Sequence, residues 1–161
     1  MRVAIDSSVL IAAYISRAGV CAELLEDVLM DHDLICSDFA LDKLARRLKE
    51  GFHFTAGEIQ EIRESITVAA EIVTPAEISK ESCRDPKDLR ILGSAVAGKA
   101  DLLVTVDKDL LELIAYGDIP IVKPGEFWKR QSRPEETRLS SRRFRRYTDR
   151  RLRKTGIKGD S

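Results

Sequence analysis

Residues 85–110 read DPKDLRILGSAVAGKADLLVTVDKDL, and the expected fold follows from this stretch. Apolar residues recur at helical spacing from Leu89 onward, which predicts a helix that begins beside Asp88. The run LLVTV at 102–106 is rich in β-branched residues and predicts a strand that ends at Asp107. Carboxylates therefore stand at the start of a predicted helix and directly after a predicted strand.

A second predicted strand, VAI at residues 3–5, also ends at an aspartate, Asp6. Ligands of open α/β sheets bind outside the carboxyl ends of the strands, so Asp6 and Asp107 are expected to face one crevice. Three carboxylates from two strand ends and one helix start suit a hard divalent cation such as Mg²⁺ or Mn²⁺. The sequence therefore predicts a metal site formed by Asp6, Asp88 and Asp107.

The rest of the sequence predicts the element order β, α, α, β, α, α, α, β, α, β. Ser37 is the expected N-cap of a helix that Gly51 ends, and Thr55 is expected to open a helix over 55–73. The segment 109–117 is expected to form a short helix before the last strand. Alternating strands and helices indicate an α/β fold of three layers, α/β/α, with a central parallel sheet of about four or five strands.

Charge divides the chain into two parts. Residues 129–161 hold 13 of the 27 basic residues but 4 of the 27 acidic ones. The net charge is therefore about −9 for residues 1–128 and about +9 for residues 129–161. The expected organisation is a 1–130 domain and an Arg-rich extension, 131–161, that is disordered or partly helical.

The arginines of the extension are interleaved with Phe144 and Tyr147. Arginines can pair phosphates while aromatic rings stack on bases, which predicts RNA contacts. A solvated tail and a helix over 134–154 are the alternatives. The predicted RNA-binding residues are Arg142, Arg143, Arg145, Arg146, Arg150 and Arg151.

Other classes of function are disfavoured by the composition. The three cysteines are odd in number and show no CxxC spacing, which argues against a disulfide framework or a zinc site. The two histidines have no partner pattern, so His-based catalysis is not expected. No apolar run reaches the roughly 18 residues of a membrane span, and an early acid interrupts any signal-peptide core. A cytoplasmic protein without a membrane partner is expected.

Four segments resemble PIN-domain proteins, in particular the toxin-like branch of prokaryotic toxin–antitoxin systems. The resemblance implies a PIN-like fold and a Mg²⁺- or Mn²⁺-dependent endoribonuclease that hydrolyses RNA phosphodiester bonds. It also implies an antitoxin protein as partner and is compatible with a homodimer. The segments are VAIDSSVLIAA at 3–13, CSDFALDKLARRL at 36–48, RDPKDLRILGSAVAGKADLLVTVDKDLLEL at 84–113, and IPIVKPGEFWKR at 119–130.

The resemblance also implies roles for particular residues. Asp6, Asp88 and Asp107 match the catalytic, metal-binding acids of the family. Ser8 matches a position that helps to orient the first acid, which a hydroxyl can do by hydrogen bonding.

Around these acids the sequence offers further residues. The family's middle-helix glutamate corresponds to Lys43, so either the adjacent Asp42 serves as a fourth acid or the site lacks this ligand. Successive helical residues point about 100° apart, which sets Asp42 off the expected direction. Thr105 and Asp109 flank Asp107 at two residues on either side and are expected to support the site.

Two alternatives to the nuclease hypothesis follow from the same residues. A degenerate PIN module that binds RNA or a partner protein without cleavage is favoured by Lys43. Phosphoryl transfer through an aspartyl nucleophile also uses an Asp at a strand end. It is disfavoured because the run Asp6-Ser7-Ser8 lacks the second acid, two residues on, that such phosphatases use.

Overall fold

The computed structural model describes residues 1–130. The Arg-rich extension, with its predicted helix and its six RNA-binding arginines, lies outside the described residues. The helices are α1 (Ser7–Ile15), α2 (Val20–Asp31), α3 (Asp38–Phe52), α4 (Ala56–Ala69), α5 (Pro86–Ala97) and α6 (Lys108–Glu112), with 3₁₀ turns at Lys80–Ser82 and Pro124–Arg130. The strands are β1 (Arg2–Ile5), β2 (Asp33–Ser37), β3 (Ala70–Val73), β4 (Leu102–Val104), β5 (Ala115–Tyr116) and β6 (Ile119–Val122).

The strands form one sheet in the order β3-β2-β1-β4-β6-β5. Every pairing is parallel except that of β5 with β6, which is an antiparallel hairpin. The predicted α/β class with a central parallel sheet is confirmed. The sheet has six strands rather than four or five.

Both additional strands lie inside segments that were predicted to be helical. The helix expected over 55–73 ends at Ala69, and Ala70–Val73 pairs with β2 instead. The helix expected over 109–117 ends at Glu112, and Ala115–Tyr116 pairs with β6. These predictions were wrong because pairing with a neighbouring strand outweighs intrinsic helix propensity, even that of good helix formers such as alanine and glutamate.

The predicted end of α3 at Gly51 was also wrong. The helix continues through Gly51 to Phe52, and His53 ends it in the left-handed conformation with φ of 55°. A glycine costs a helix only about 1 kcal/mol, so position 51 does not have to end it. The predicted caps are confirmed, because the hydroxyls of Ser37 and Thr55 accept hydrogen bonds from the helix amides.

The core consists of two apolar layers, one on each face of the sheet. Alternation along β1 sends Val3 and Ile5 toward α1–α4, while Ala4 faces α5 and α6. Among the described residues no single helix is long and apolar enough to cross a membrane, and the pair α1 and α2, which passes that test together, is bent by 109°.

Helix α5 packs closely against its neighbours because Gly93 within it and Gly98 directly after it carry no side chain. A Cβ on Gly93 would lie 2.3 Å from the Ala76 carbonyl oxygen, and one on Gly98, which directly follows the helix, would lie 2.3 Å from Ile35 Cγ2. The helix begins at Pro86, with the Asp85 carboxylate accepting a hydrogen bond from the Lys87 amide. These contacts fix the first turn of α5, which carries Asp88.

Candidate metal centre

The candidate site lies at the carboxyl ends of the two central strands, β1 and β4. Ile5 and Val104 are paired at the ends of these strands, and the Asp6 amide donates to the Val104 carbonyl at 3.0 Å. From β1 the sheet continues to β2 and β3 on one side, and to β4, β6 and β5 on the other. Such a reversal of strand order opens a crevice in α/β proteins, and the acids lie at this point.

Asp6 is buried and accepts hydrogen bonds from three hydroxyls. Ser8 donates at 2.9 Å and Thr105 at 2.8 Å to Oδ2, while Ser7 donates at 3.2 Å to Oδ1. Ser8 and Thr105 thus both contact the first acid, while their supporting role in a metal site stays a prediction. Ser7 was not singled out from the sequence, although the Asp-Ser-Ser run contained the signal that two hydroxyls follow the acid.

Thr105 connects the two strand ends. Strand β4 ends at Val104, and the fully buried Thr105 side chain donates to Asp6 Oδ2 while its oxygen accepts a hydrogen bond from the Asp107 amide at 3.0 Å. A single hydroxyl therefore fixes the position of one acid and the backbone of the next.

Asp88 contributes a buried oxygen atom with no hydrogen-bond partner among the described residues. The residue is 2% exposed, and its Oδ2 is the atom without a partner. A buried acceptor without a partner costs free energy, because it has lost its hydrogen bonds to water. A ligand that binds this oxygen would compensate for that loss.

Three carboxylates converge at this position. Asp88, Asp107 and Asp109 each offer one oxygen, and these oxygens lie within 4.8 Å of one another. The Asp109 amide donates to Asp107 Oδ1 at 2.8 Å, which holds the loop after β4 in place. An all-carboxylate donor set with an unpaired oxygen fits a hard divalent cation. Asp109, expected only to support the site, is part of the converging group, whereas Asp6 borders it.

The electrostatics of the site disfavour full ionisation in the absence of a cation. The pKa of Asp88 is raised from 3.8 to about 6, and burial is the largest cause. The remaining causes are the charges of neighbouring acids, namely Asp107, Asp85, Asp6 and Asp109. Like charges in one cleft disfavour ionisation, and a bound cation reverses this effect.

The structure directs Asp42 to a different partner. Its carboxylate lies 2.8 Å from the Arg63 guanidinium on α4, and its side chain is 68% exposed. The neighbouring Lys43 is half-buried. The structure therefore brings Asp88, Asp107 and Asp109 together, with Asp6 beside them, but not Asp42.

Comparisons with known proteins agree with this architecture. The family model described as PIN domain matches residues 2–109. Among solved structures, VapBC2 from Rickettsia felis bound to a DNA fragment from their promoter matches with a TM-score of 0.55 and 14% identity, over 76% of this chain and 98% of that one. At this identity the likeness concerns the fold. No curated protein matches the sequence.

Replacing Thr105 tests the link between the two strand ends. Thr105→Val should lower the free energy of unfolding by about 1–3 kcal/mol, because a buried carboxylate loses a donor and the Asp107 amide loses its acceptor. Thr105→Ser keeps the hydroxyl and is the matched control. Urea unfolding of both variants measures the effect, and equal stabilities would contradict the role assigned to the hydroxyl.

The raised pKa of Asp88 predicts a pH-dependent loss of stability. Between pH 3.8 and about 6 the folded protein keeps a proton on Asp88 that the unfolded chain has lost. The contribution of Asp88 to the free energy of unfolding therefore falls as the pH rises through this range. Without metal, the free energy of unfolding of Asp88→Asn should exceed that of the wild type by about 1–2 kcal/mol near neutral pH, after allowance for solvent screening. Below about pH 4 the two free energies should be equal.

Urea unfolding in a chelator measures this difference. Asp118→Asn, which removes an exposed acid in the β5–β6 turn, is the matched control and should leave the difference from wild type constant across the same pH range. A lower stability of Asp88→Asn near neutral pH would show that the ionised carboxylate stabilises the fold, contrary to the prediction.

Proposed function

Because the chain belongs to the PIN domain family, we propose that it is a metal-dependent endoribonuclease that hydrolyses RNA phosphodiester bonds. PIN domains are generally nucleases that use divalent metals. The observation that carries the proposal is that one carboxylate oxygen each from Asp88, Asp107 and Asp109 lies within 4.8 Å of the others. Asp88 also has a buried Oδ2 with no hydrogen-bond partner among the described residues. Either Mg²⁺ or Mn²⁺ fits this donor set.

In this proposal Asp88, Asp107 and Asp109 hold the cation. A divalent ion bound there would supply a water of lowered pKa and would stabilise charge on the leaving oxygen. At pH values below about 6, Asp88 would have to lose a proton to hold the ion, since burial and nearby negative charge raise its pKa to about 6. Metal affinity is therefore expected to weaken as the pH falls below that value.

Asp6 has a different part in the same site. An ionised carboxylate offers about four acceptor positions, and hydroxyls of Ser7, Ser8 and Thr105 fill three of those on Asp6. We assign the remaining position to the ion or to one of its waters. The three hydroxyls hold the carboxylate in one orientation, which is how a surrounding shell of hydrogen bonds tunes a metal ligand.

The proposal extends to partners. We propose that this chain is the toxin of a toxin–antitoxin pair, with an antitoxin protein as its partner. The fold shared with VapBC2, solved on promoter DNA, supports this assignment. A homodimer stays a prediction of the family resemblance, and a cytoplasmic location stays a prediction from the sequence.

A second candidate function is a PIN module that binds RNA or a protein without cutting. It is favoured by Lys43, which stands where the family resemblance expects a glutamate, and by the pairing of the adjacent Asp42 with Arg63. The two functions differ in one measurement, since the second predicts RNA binding without cleavage in the presence of metal.

The nuclease proposal predicts metal-dependent cleavage of single-stranded RNA. Asp88→Asn and Asp107→Asn should each lower the rate at least about a hundredfold, because each removes a ligand of the ion. Asp118→Asn should cleave as the wild type does. The measurement is cleavage of labelled RNA with Mg²⁺ or Mn²⁺, beside calorimetric titration of Mn²⁺ into each protein.

The titration separates the two candidate functions. The metal mechanism would be contradicted if RNA cleavage continued in the presence of a chelator, or if Asp88→Asn cleaved RNA at the wild-type rate. Bound Mn²⁺ and bound RNA without cleavage would instead support the non-cleaving module.

The arginines of the extension are proposed to contact RNA phosphates. Changing the six arginines at 142, 143, 145, 146, 150 and 151 to glutamine should weaken RNA binding and flatten its salt dependence, because each phosphate contact adds about 0.7 to the log–log slope for single strands. Filter binding across a salt series on the full chain measures this slope. An unchanged slope would contradict the assignment.

A further inference from the structure

The outer face of α2 differs in charge from every other helix in the described part of the chain. Helix α2 carries four acids and no base, whereas α3 to α6 each include a lysine or an arginine and α1 carries no charge. The acids recur at helical spacing on one side of α2, and two exposed apolar residues lie among them. The face consists of Val20, Glu23, Glu26, Met30 and Asp31, while the fourth acid, Asp27, is buried at its edge.

The C-terminal end of the described chain already packs against this helix. The Trp128 indole donates to Asp27 Oδ2 on α2, and the Phe127 ring packs edge-on against His32, directly after α2, with ring centroids 5.5 Å apart. The 3₁₀ turn Pro124–Arg130 thus delivers the chain to α2 at the point where the extension begins.

We propose that the Arg-rich extension, residues 131–161, docks on the acidic outer face of α2 within the same molecule. The extension holds 11 lysines and arginines against 4 acids, so its charge complements that of α2. Its apolar residues, such as Phe144 and Tyr147, suit the exposed Val20 and Met30.

Length and tethering favour this occupant over others. Helix α2 has 12 residues and is therefore about 18 Å long. About six residues in extended conformation span that distance, so the extension is long enough to run along the whole helix. Exposed ion pairs are individually weak, but a tethered segment meets its target at about millimolar effective concentration. The interface continues the contacts that Phe127 and Trp128 already make. The proposal is independent of the nuclease activity.

Docking should protect the extension from trypsin, which cuts after lysine and arginine. In the full chain at low salt, Glu23→Gln with Glu26→Gln should speed cleavage within 131–161 about fivefold, because two ion-pairing charges are lost. High salt should speed cleavage of the wild type similarly and remove the difference between the two proteins. Mass spectrometry of the released peptides measures the rate.

The matched control is Glu61→Gln with Glu64→Gln, which removes the same charge from exposed positions on α4 and should leave the cleavage rate at the wild-type value. The emission of Trp128, the single tryptophan of the chain, verifies that each variant is folded. Equal cleavage rates in the wild type and the α2 variant at low salt would overturn the proposal. Protection that disappears on dilution would also overturn it, since the extension would then dock on a second copy.

Discussion

The candidate site depends on the hydroxyl of Thr105. This one group donates to the carboxylate of Asp6 and accepts from the amide of Asp107, so it ties the end of β1 to the loop after β4. The loop in turn is closed by the Asp109 amide on Asp107. A buried hydroxyl that is satisfied in both directions fixes the distance between negative charges that would otherwise repel.

The fold tolerates this repulsion because its two apolar layers stabilise the sheet independently of the acids. Burial, and then the charges of neighbouring acids, raise the pKa of Asp88, and its buried Oδ2 has no hydrogen-bond partner among the described residues. Charge clusters that destabilise the protein on its own are typical of sites whose ligand has the opposite charge. In the proposed metal site, the same charges that disfavour the metal-free protein would attract a cation.

Charge is also separated along the chain, on a larger scale. An acidic body precedes a basic extension in the sequence, and Trp128, near the end of the described chain, contacts α2, whose charged residues are all acids. In the two proposals made for the extension, RNA phosphates and the carboxylates of α2 are alternative partners of the same basic residues. The net charge of zero thus conceals two surfaces of opposite sign in one molecule.

Much of the architecture could be predicted from the sequence, because local patterns determine it. Helical spacing, the caps at Ser37 and Thr55, and the aspartates after β1 and β4 identified the α/β class and the edge that carries the site. Those signals are local, since each lies within a few residues of the element it begins or ends.

Pairing and convergence were decided by the tertiary structure. Ala70–Val73 became a strand only because β2 lies beside it, and Asp42 was directed to Arg63 by the packing of α3 on α4. Asp109 joined Asp88 and Asp107 because the backbone turns after Thr105. The sequence by itself determined which acids stand at the element ends; the distances between their oxygens depend on contacts between residues far apart in the chain, which no local pattern contains.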